Sequence, residues 1–256
     1  MASTAGLADR VSGAVTASVI AVPLGATEQH GPHLPLGTDT SIACALAAGL
    51  AEARDDVVVA PPLPYGSSGE HAGFPGTLSI GQDALHAVIV ELARSSPGPM
   101  LFVSAHGGNA EPLAAAVRKL RIEGHEVRAW SPAFGGDAHA GRVETSLMLA
   151  LAPALVRSPR PAGNVAPLAS LMPALRAGGV AAVAPNGVLG DPSGASADEG
   201  RALLARAVAE LVAFVDAWRV SRPQPDEPAT EHALATSTTS WVKPPQAAQP
   251  SKERPA

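Results

Sequence analysis

Five short apolar runs rich in β-branched residues punctuate the chain: "SVIAVPL" (18–24), "DVVVAPP" (56–62), "PMLFVSA" (99–105), "HEVRAW" (125–130) and "GVAAVAP" (179–185). Each is bounded by turn residues, the pattern of a buried strand. Between and after them lie helical patterns at 40–54, 81–95, 109–124, 141–152 and 196–219. Strand alternating with helix predicts an α/β fold, a three-layer α/β/α arrangement around a mainly parallel sheet. Ligands of such a sheet gather in the crevice at the carboxyl ends of its strands. The segment from Pro153 to Pro173 breaks the rhythm and is expected to be an irregular excursion with one short helix.

The interior must be built from Ala, Val and Leu, since only 3% of residues are aromatic. Small apolar side chains suit helices lying close on a parallel sheet. No linker divides the 256 residues in the middle, so residues 18–220 are expected to form one domain. Residues 1–17 are expected to be a flexible N-terminus. Residues 221–256, polar and proline-rich without periodicity, read as a disordered tail.

Charge and cysteine content narrow the function. A net charge of -5 with no Lys/Arg cluster offers nucleic-acid phosphates no footprint. Cys44 is the single cysteine, which excludes an internal disulfide and a thiolate-rich zinc site. The start "MASTAGLADRVSGAV" lacks a basic leader region, and no apolar run approaches the roughly 20 residues of a membrane span. The expectation is a cytoplasmic protein with no nucleic-acid or membrane partner.

Four polar clusters follow the first four strands: "GATEQHGPH" (25–33), "YGSSGEH" (65–71), "HGGN" (106–109) and "GGDAHAG" (135–141). Each has an ordinary explanation by itself. Asp39 suits a helix N-cap, Asn109 another, and Glu144 an acid favoured in a first helical turn. Glu70 and His71 alone would be a solvated pair, and "HGGN" alone would serve equally as an anion cradle at a helix start. In a parallel sheet, however, all four clusters meet at one rim. Glu28 and His30, two apart in extended chain, then face a common point. Carboxylates and imidazoles without thiolates suit zinc, manganese or iron(II), and this many donors can hold two divalent metal ions sharing one carboxylate. Such a pair activates water for hydrolysis. A serine nucleophile has no support, because "YGSSGEH" does not match the G-x-S-x-G elbow.

The motifs "PLGATEQHGPHLPLGTD" (23–39), "SGEHAGFPGTLS" (68–79), "SAHGGN" (104–109), "DAHAGRVETS" (137–146) and "GVLGDPSGASADEG" (187–200) resemble, in this order, those of the creatininase family of metal-dependent amidohydrolases. The resemblance spans about residues 19–218. It implies that Glu28, Asp39 and His106 hold one metal, that His30 and Asp39 begin a second site with Asp39 as bridge, and that His139 is an active-site histidine. Creatininase proper carries a metal-binding Glu in its third motif where this chain has Gly108. The second site therefore needs another donor, for which Glu144 is the candidate, and creatinine becomes a poor expectation as substrate. Glu70, His71 and Asn109 are expected on the substrate side. The stretches "AGNVAPLASLMPALRAGGVAAVAPNGVLGDPSGASADEGR" and "YGSSGEHAGFPGTLSIG" look most like a branch whose members cleave a modified ribosomal precursor peptide near its C-terminus. The resemblance also implies a homo-oligomer. Two alternatives stay open: a deformylase acting on a formylaminopyrimidine nucleotide, and a non-catalytic nucleotide-binding module.

Overall fold

The computed structural model describes residues 6–17 and 19–220. Its sheet has four parallel strands, β1 (Val19–Leu24), β2 (Val57–Val59), β3 (Met100–Ser104) and β4 (Val127–Trp130), in the order β2-β1-β3-β4. Register is set by Val19 opposite Val57, Ile20 opposite Met100 and Met100 opposite Val127. The helices are α1 (Thr38–Ala53), α2 (Gly81–Ser95), α3 (Ala110–Ile122), α4 (Arg142–Leu151), α5 (Leu168–Gly178) and α6 (Ala197–Val220).

Alternation along the strands divides the core in two. Val19, Ala21, Leu101 and Val103 point to one face and pack with Ile42, Leu46 and Leu50 of α1, Leu147 of α4, and Leu211 and Val215 of α6. Val22, Leu24, Met100 and Phe102 point to the other and meet Leu85 and Ile89 of α2 with Leu113, Ala116 and Leu120 of α3. Side chains at two-residue spacing on the strands and three- or four-residue spacing on the helices thus yield the three layers. Small residues permit close approach between α6 and α4. A Cβ at Gly200 would overlap the Ser146 carbonyl.

Four of the five candidate strands form, and the fifth does not. Residues 179–185 make a 3-10 turn at Val180–Ala182. Gly179 enters it at φ +67°, Pro185 supplies no amide hydrogen, and Val180 and Ala184 are buried with Leu189 in a satellite cluster rather than against the sheet. The excursion carries a 3-10 turn at Pro153–Leu155 and then α5. At the N-terminus, expected to be flexible, the described residues include 3-10 turns at Leu7–Asp9 and Ser12–Ala14. The proposed tail, 221–256, lies outside the described residues. No described helix is long and apolar enough to cross a membrane.

Candidate metal centre

The loops leaving β1, β2, β3 and β4 converge at the carboxyl edge of the sheet. After β1 the chain folds back over the start of α1. A Cβ at Gly25 would overlap Thr40, and Thr40 Oγ1 donates to the Ala26 carbonyl at 3.1 Å. Glu28 N–H donates to Leu36 O at 3.0 Å, and Leu78 N–H to Thr27 O at 2.8 Å. These contacts place Glu28 and His30 beside Asp39 in the first turn of α1. Gly37 occupies the N-cap position, so the Asp39 carboxylate is turned inward instead of capping. Glu28, His30, His71, Asp39, His106 and His139 are all buried, at most 8% exposed.

Three carboxylates and four imidazoles crowd this space. Glu28 Oε2 lies 3.1 Å from His106 Nε2, and Asp39 Oδ2 lies 3.4 Å from His106 Nδ1. Asp39 Oδ1 lies 3.3 Å from His30 Nε2, which is 3.8 Å from Glu144 Oε2. Asp39 therefore stands between two groups of donors, facing each with one oxygen. Three sets could each hold an ion: Glu28–Asp39–His106, His30–His139–Glu144 and Glu28–His71–His139.

Hydrogen bonds to carbonyls, which only accept, decide where the imidazole protons sit. His30 donates Nδ1–H to Glu28 O, two residues back, at 3.1 Å, so Nε2 is the nitrogen that faces Asp39 and that can give up its proton to a cation. His106 donates Nε2–H to Ser67 O at 3.0 Å, leaving Nδ1 towards Asp39. His139 donates Nε2–H to Gln29 O at 2.8 Å. Buried atoms with no hydrogen-bond partner include Glu28 Oε1 and Oε2, His30 Nε2 and Asp39 Oδ2. Unsatisfied buried polar atoms cost roughly 1–3 kcal/mol each, more when charged, so four in one place are the mark of a missing partner. Metal–ligand bonds of about 2.0–2.2 Å set tetrahedral donors about 3.4 Å apart, the spacing found here. The residues fit divalent cations.

In the metal-free protein the centre is electrostatically divided. Burial, then Asp39, pushes the Glu28 carboxyl up to about 8. Burial works against a charged His30, but Asp39, Glu144 and Glu28 outweigh it and hold the ring up at about 10. Burial would raise Asp39, yet His30 and His106 keep it below its ordinary value. Burial, then His106 and His30, lowers His71 to about 3, and burial with His30 and His71 holds His139 well below the usual range.

Glu144 approaches His30, but its Oε2 also accepts from Ala140 N–H at 2.6 Å. Ala140 holds a left-handed φ of +52° directly after His139, a conformation costly for a non-glycine residue. Pairing of His139 and Leu189 backbones pins this loop, at 2.8 and 3.2 Å. Glu70 sits at the rim with its side chain 35% exposed, Oε1 3.6 Å from His106 Nε2. Its carboxylate fills the space a side chain at Gly108 would need, together with Ser67 O. His71 is further in than expected, its Nε2 3.2 Å from Glu28 Oε1. Asn109, expected against substrate, is fully buried and spans two loops: Nδ2 donates to Gly25 O at 3.0 Å and Oδ1 accepts from Ser67 N–H at 2.9 Å. His33 lies off the centre, 2.9 Å from Thr145 Oγ1 at the start of α4. Gln29, between Glu28 and His30, carries no sequence signal of a role in the site, yet its amide contacts both His71 and His139.

The creatininase family model, described as creatinine amidohydrolase, matches residues 9–215. A mycofactocin precursor peptide peptidase of Mycobacterium ulcerans is 49% identical over 221 residues, covering 81% of this chain and 87% of that protein. Among solved structures, a manganese creatininase superposes with a TM-score of 0.62 at 28% identity, covering 79% of this chain and 91% of the other. A creatininase mutant of Zn-Zn type gives 0.59 at 28% identity, with 78% and 90% covered.

Proposed function

The chain belongs to the creatininase family, and from that premise we propose that it is a two-metal peptidase acting on the modified precursor peptide of mycofactocin. It is a hydrolase of C–N bonds by family. The observation that carries the two-metal reading is the set of partnerless buried donors, Glu28, His30 and Asp39, arranged around one shared carboxylate. Glu28, Asp39 and His106 would hold one cation; His30, Asp39 and Glu144 the other. Zinc, manganese and iron(II) all suit these ligands. Bound there, such cations would polarise a carbonyl and lower the pKa of water.

The remaining chemistry falls to the chain. His139, neutral because burial and its neighbours disfavour the imidazolium, keeps an Nδ1 lone pair facing Glu28 Oε1 at 3.8 Å. It would take a proton from the attacking water there and pass it to the nitrogen of the leaving amine as the C–N bond breaks. The left-handed turn at Ala140 and the pairing with Leu189 hold the ring in place. Glu70 at the rim meets the incoming chain. An extended peptide presents its amide to this edge, whereas creatinine has no chain for the rim to read.

Mass spectrometry of maturase-modified precursor peptide incubated with metal-loaded protein tests the proposal, with creatinine and a formylaminopyrimidine nucleotide in parallel. The expected result is a C-terminal fragment derived from Val and Tyr, abolished by chelator. Efficient deformylation or creatinine turnover without peptide cleavage would overturn it.

A further inference from the structure

We propose that Gln29 is a positioning residue that sets the proton positions of two histidines and thereby keeps His71 from becoming a metal ligand. The consequence for metal rests on the two-metal reading above; the proton positions do not.

Gln29 is 5% exposed, and both ends of its amide are engaged by backbone. Gly31 N–H donates to Oε1 at 2.9 Å, and Nε2 donates to Gly187 O at 3.0 Å. A flipped amide would set N–H against N–H and carbonyl against carbonyl, so only one orientation satisfies both. Gly187, at φ +77°, has no room for a Cβ, which would overlap Gln29 Oε1. The close approach of that carbonyl is therefore built into the sequence.

With one amide hydrogen on Gly187, the other is directed at His71 Nδ1, 2.8 Å away. His71 Nδ1 must accept, so the proton of the neutral ring sits on Nε2 and faces Glu28 Oε1 at 3.2 Å. A ring whose Nδ1 accepts has its one proton on Nε2 and is neutral, so the amide contact alone fixes both the charge and the proton position. The backbone carbonyl of Gln29 takes the Nε2–H of His139, which turns the free nitrogen of that ring inward. The amide nitrogen lies only 3.1 Å from His139 Nε2, with its hydrogens committed to Gly187 and His71. One residue thus gives two neighbouring rings, 4.4 Å apart, opposite roles: His139 presents a lone pair and His71 a proton. Of the three donor sets, Glu28–His71–His139 is closed to a cation because the inward nitrogen of His71 is protonated.

The test is ring-nitrogen NMR on 15N-histidine protein, first metal-free and then titrated with zinc. In the wild type His71 Nδ1 should give an unprotonated signal and Nε2 a protonated one, unchanged by zinc. Gln29→Glu offers His71 an acceptor, so the two signals should exchange, and zinc should then perturb Nε2. Gln29→Met removes the donor while keeping the bulk and should yield a mixture. Zinc-loaded turnover should fall roughly 10- to 100-fold in both. A proton on Nδ1 of His71 in the wild type, or one unchanged tautomer in both variants, would overturn the proposal. If neither variant folds, the wild-type spectrum still decides.

Discussion

His30 Nε2 and Asp39 Oδ1 lie 3.3 Å apart, with their side chains 0% and 2% exposed. The other oxygen of Asp39 lies 3.4 Å from His106 Nδ1, so this carboxylate is the common edge of both donor groups. An amide in its place keeps the shape but loses the charge. Asp39→Asn should bind neither cation tightly and lose at least roughly 100-fold in turnover, and its metal-free melting temperature should fall, because His30 loses the carboxylate that holds its proton. Metal analysis beside thermal denaturation reads both quantities; full metal content in the variant would reduce Asp39 to a first-turn acid.

Removing the metal should expose a pH dependence with a defined sign. Glu28, raised in the fold from 4.5 to about 8, stabilises fully below 4.5, and that contribution is lost as pH rises through 8. His30, raised from 6.5 to about 10, loses its contribution between those values. His71 and His33, lowered from 6.5 to about 3 and about 4, act oppositely: their contribution is present above 6.5 and lost as pH falls. Chelated protein should therefore melt highest near pH ~6.5 and progressively lower towards pH ~9. Adding zinc near pH ~7 should release protons that Glu28 and His30 had held, measurable with an indicator dye in weak buffer. A metal-free melting temperature that climbs from pH ~7 to ~9 would contradict the assigned shifts.

Much of the fold was legible because strand and helix periods differ. The pattern at 81–95 coincides with α2, Gly81–Ser95, and the first four apolar runs contain β1 to β4. The run at 179–185 misled because Val and Ala beside Gly179 and Pro185 read as a buried strand, whereas its burial is against Leu189 and α5. Convergence of Glu28, Asp39, His106 and His139 followed from parallel topology alone. Asn109 did not, since nothing local reveals that its amide would tie Gly25 to Ser67. Gln29 was equally hidden: its role depends on Gly187, 158 residues away along the chain.

The site's dependence on the distant layer can be tested at Gly200. Ser146 Oγ donates to Glu199 Oε2 at 2.8 Å and accepts from Ser196 N–H at 3.1 Å, fastening α6 to the start of α4, where Glu144 resides. Gly200→Ala forces a methyl into the Ser146 carbonyl. It should cost about 1–3 kcal/mol of stability and weaken the cation nearer Glu144 before the other. Urea denaturation and competitive zinc titration measure the two effects; unchanged stability would mean the helices separate without strain.

The two proposed cation sites share Asp39, and Glu144 serves only the second. Native mass spectrometry of chelated protein titrated with zinc tests this arrangement most directly, comparing the wild type with Glu144→Gln. Two bound ions per chain are expected in the wild type and one in the variant, at matching protein mass and fold. A single ion in the wild type, or two retained by Glu144→Gln, would contradict it.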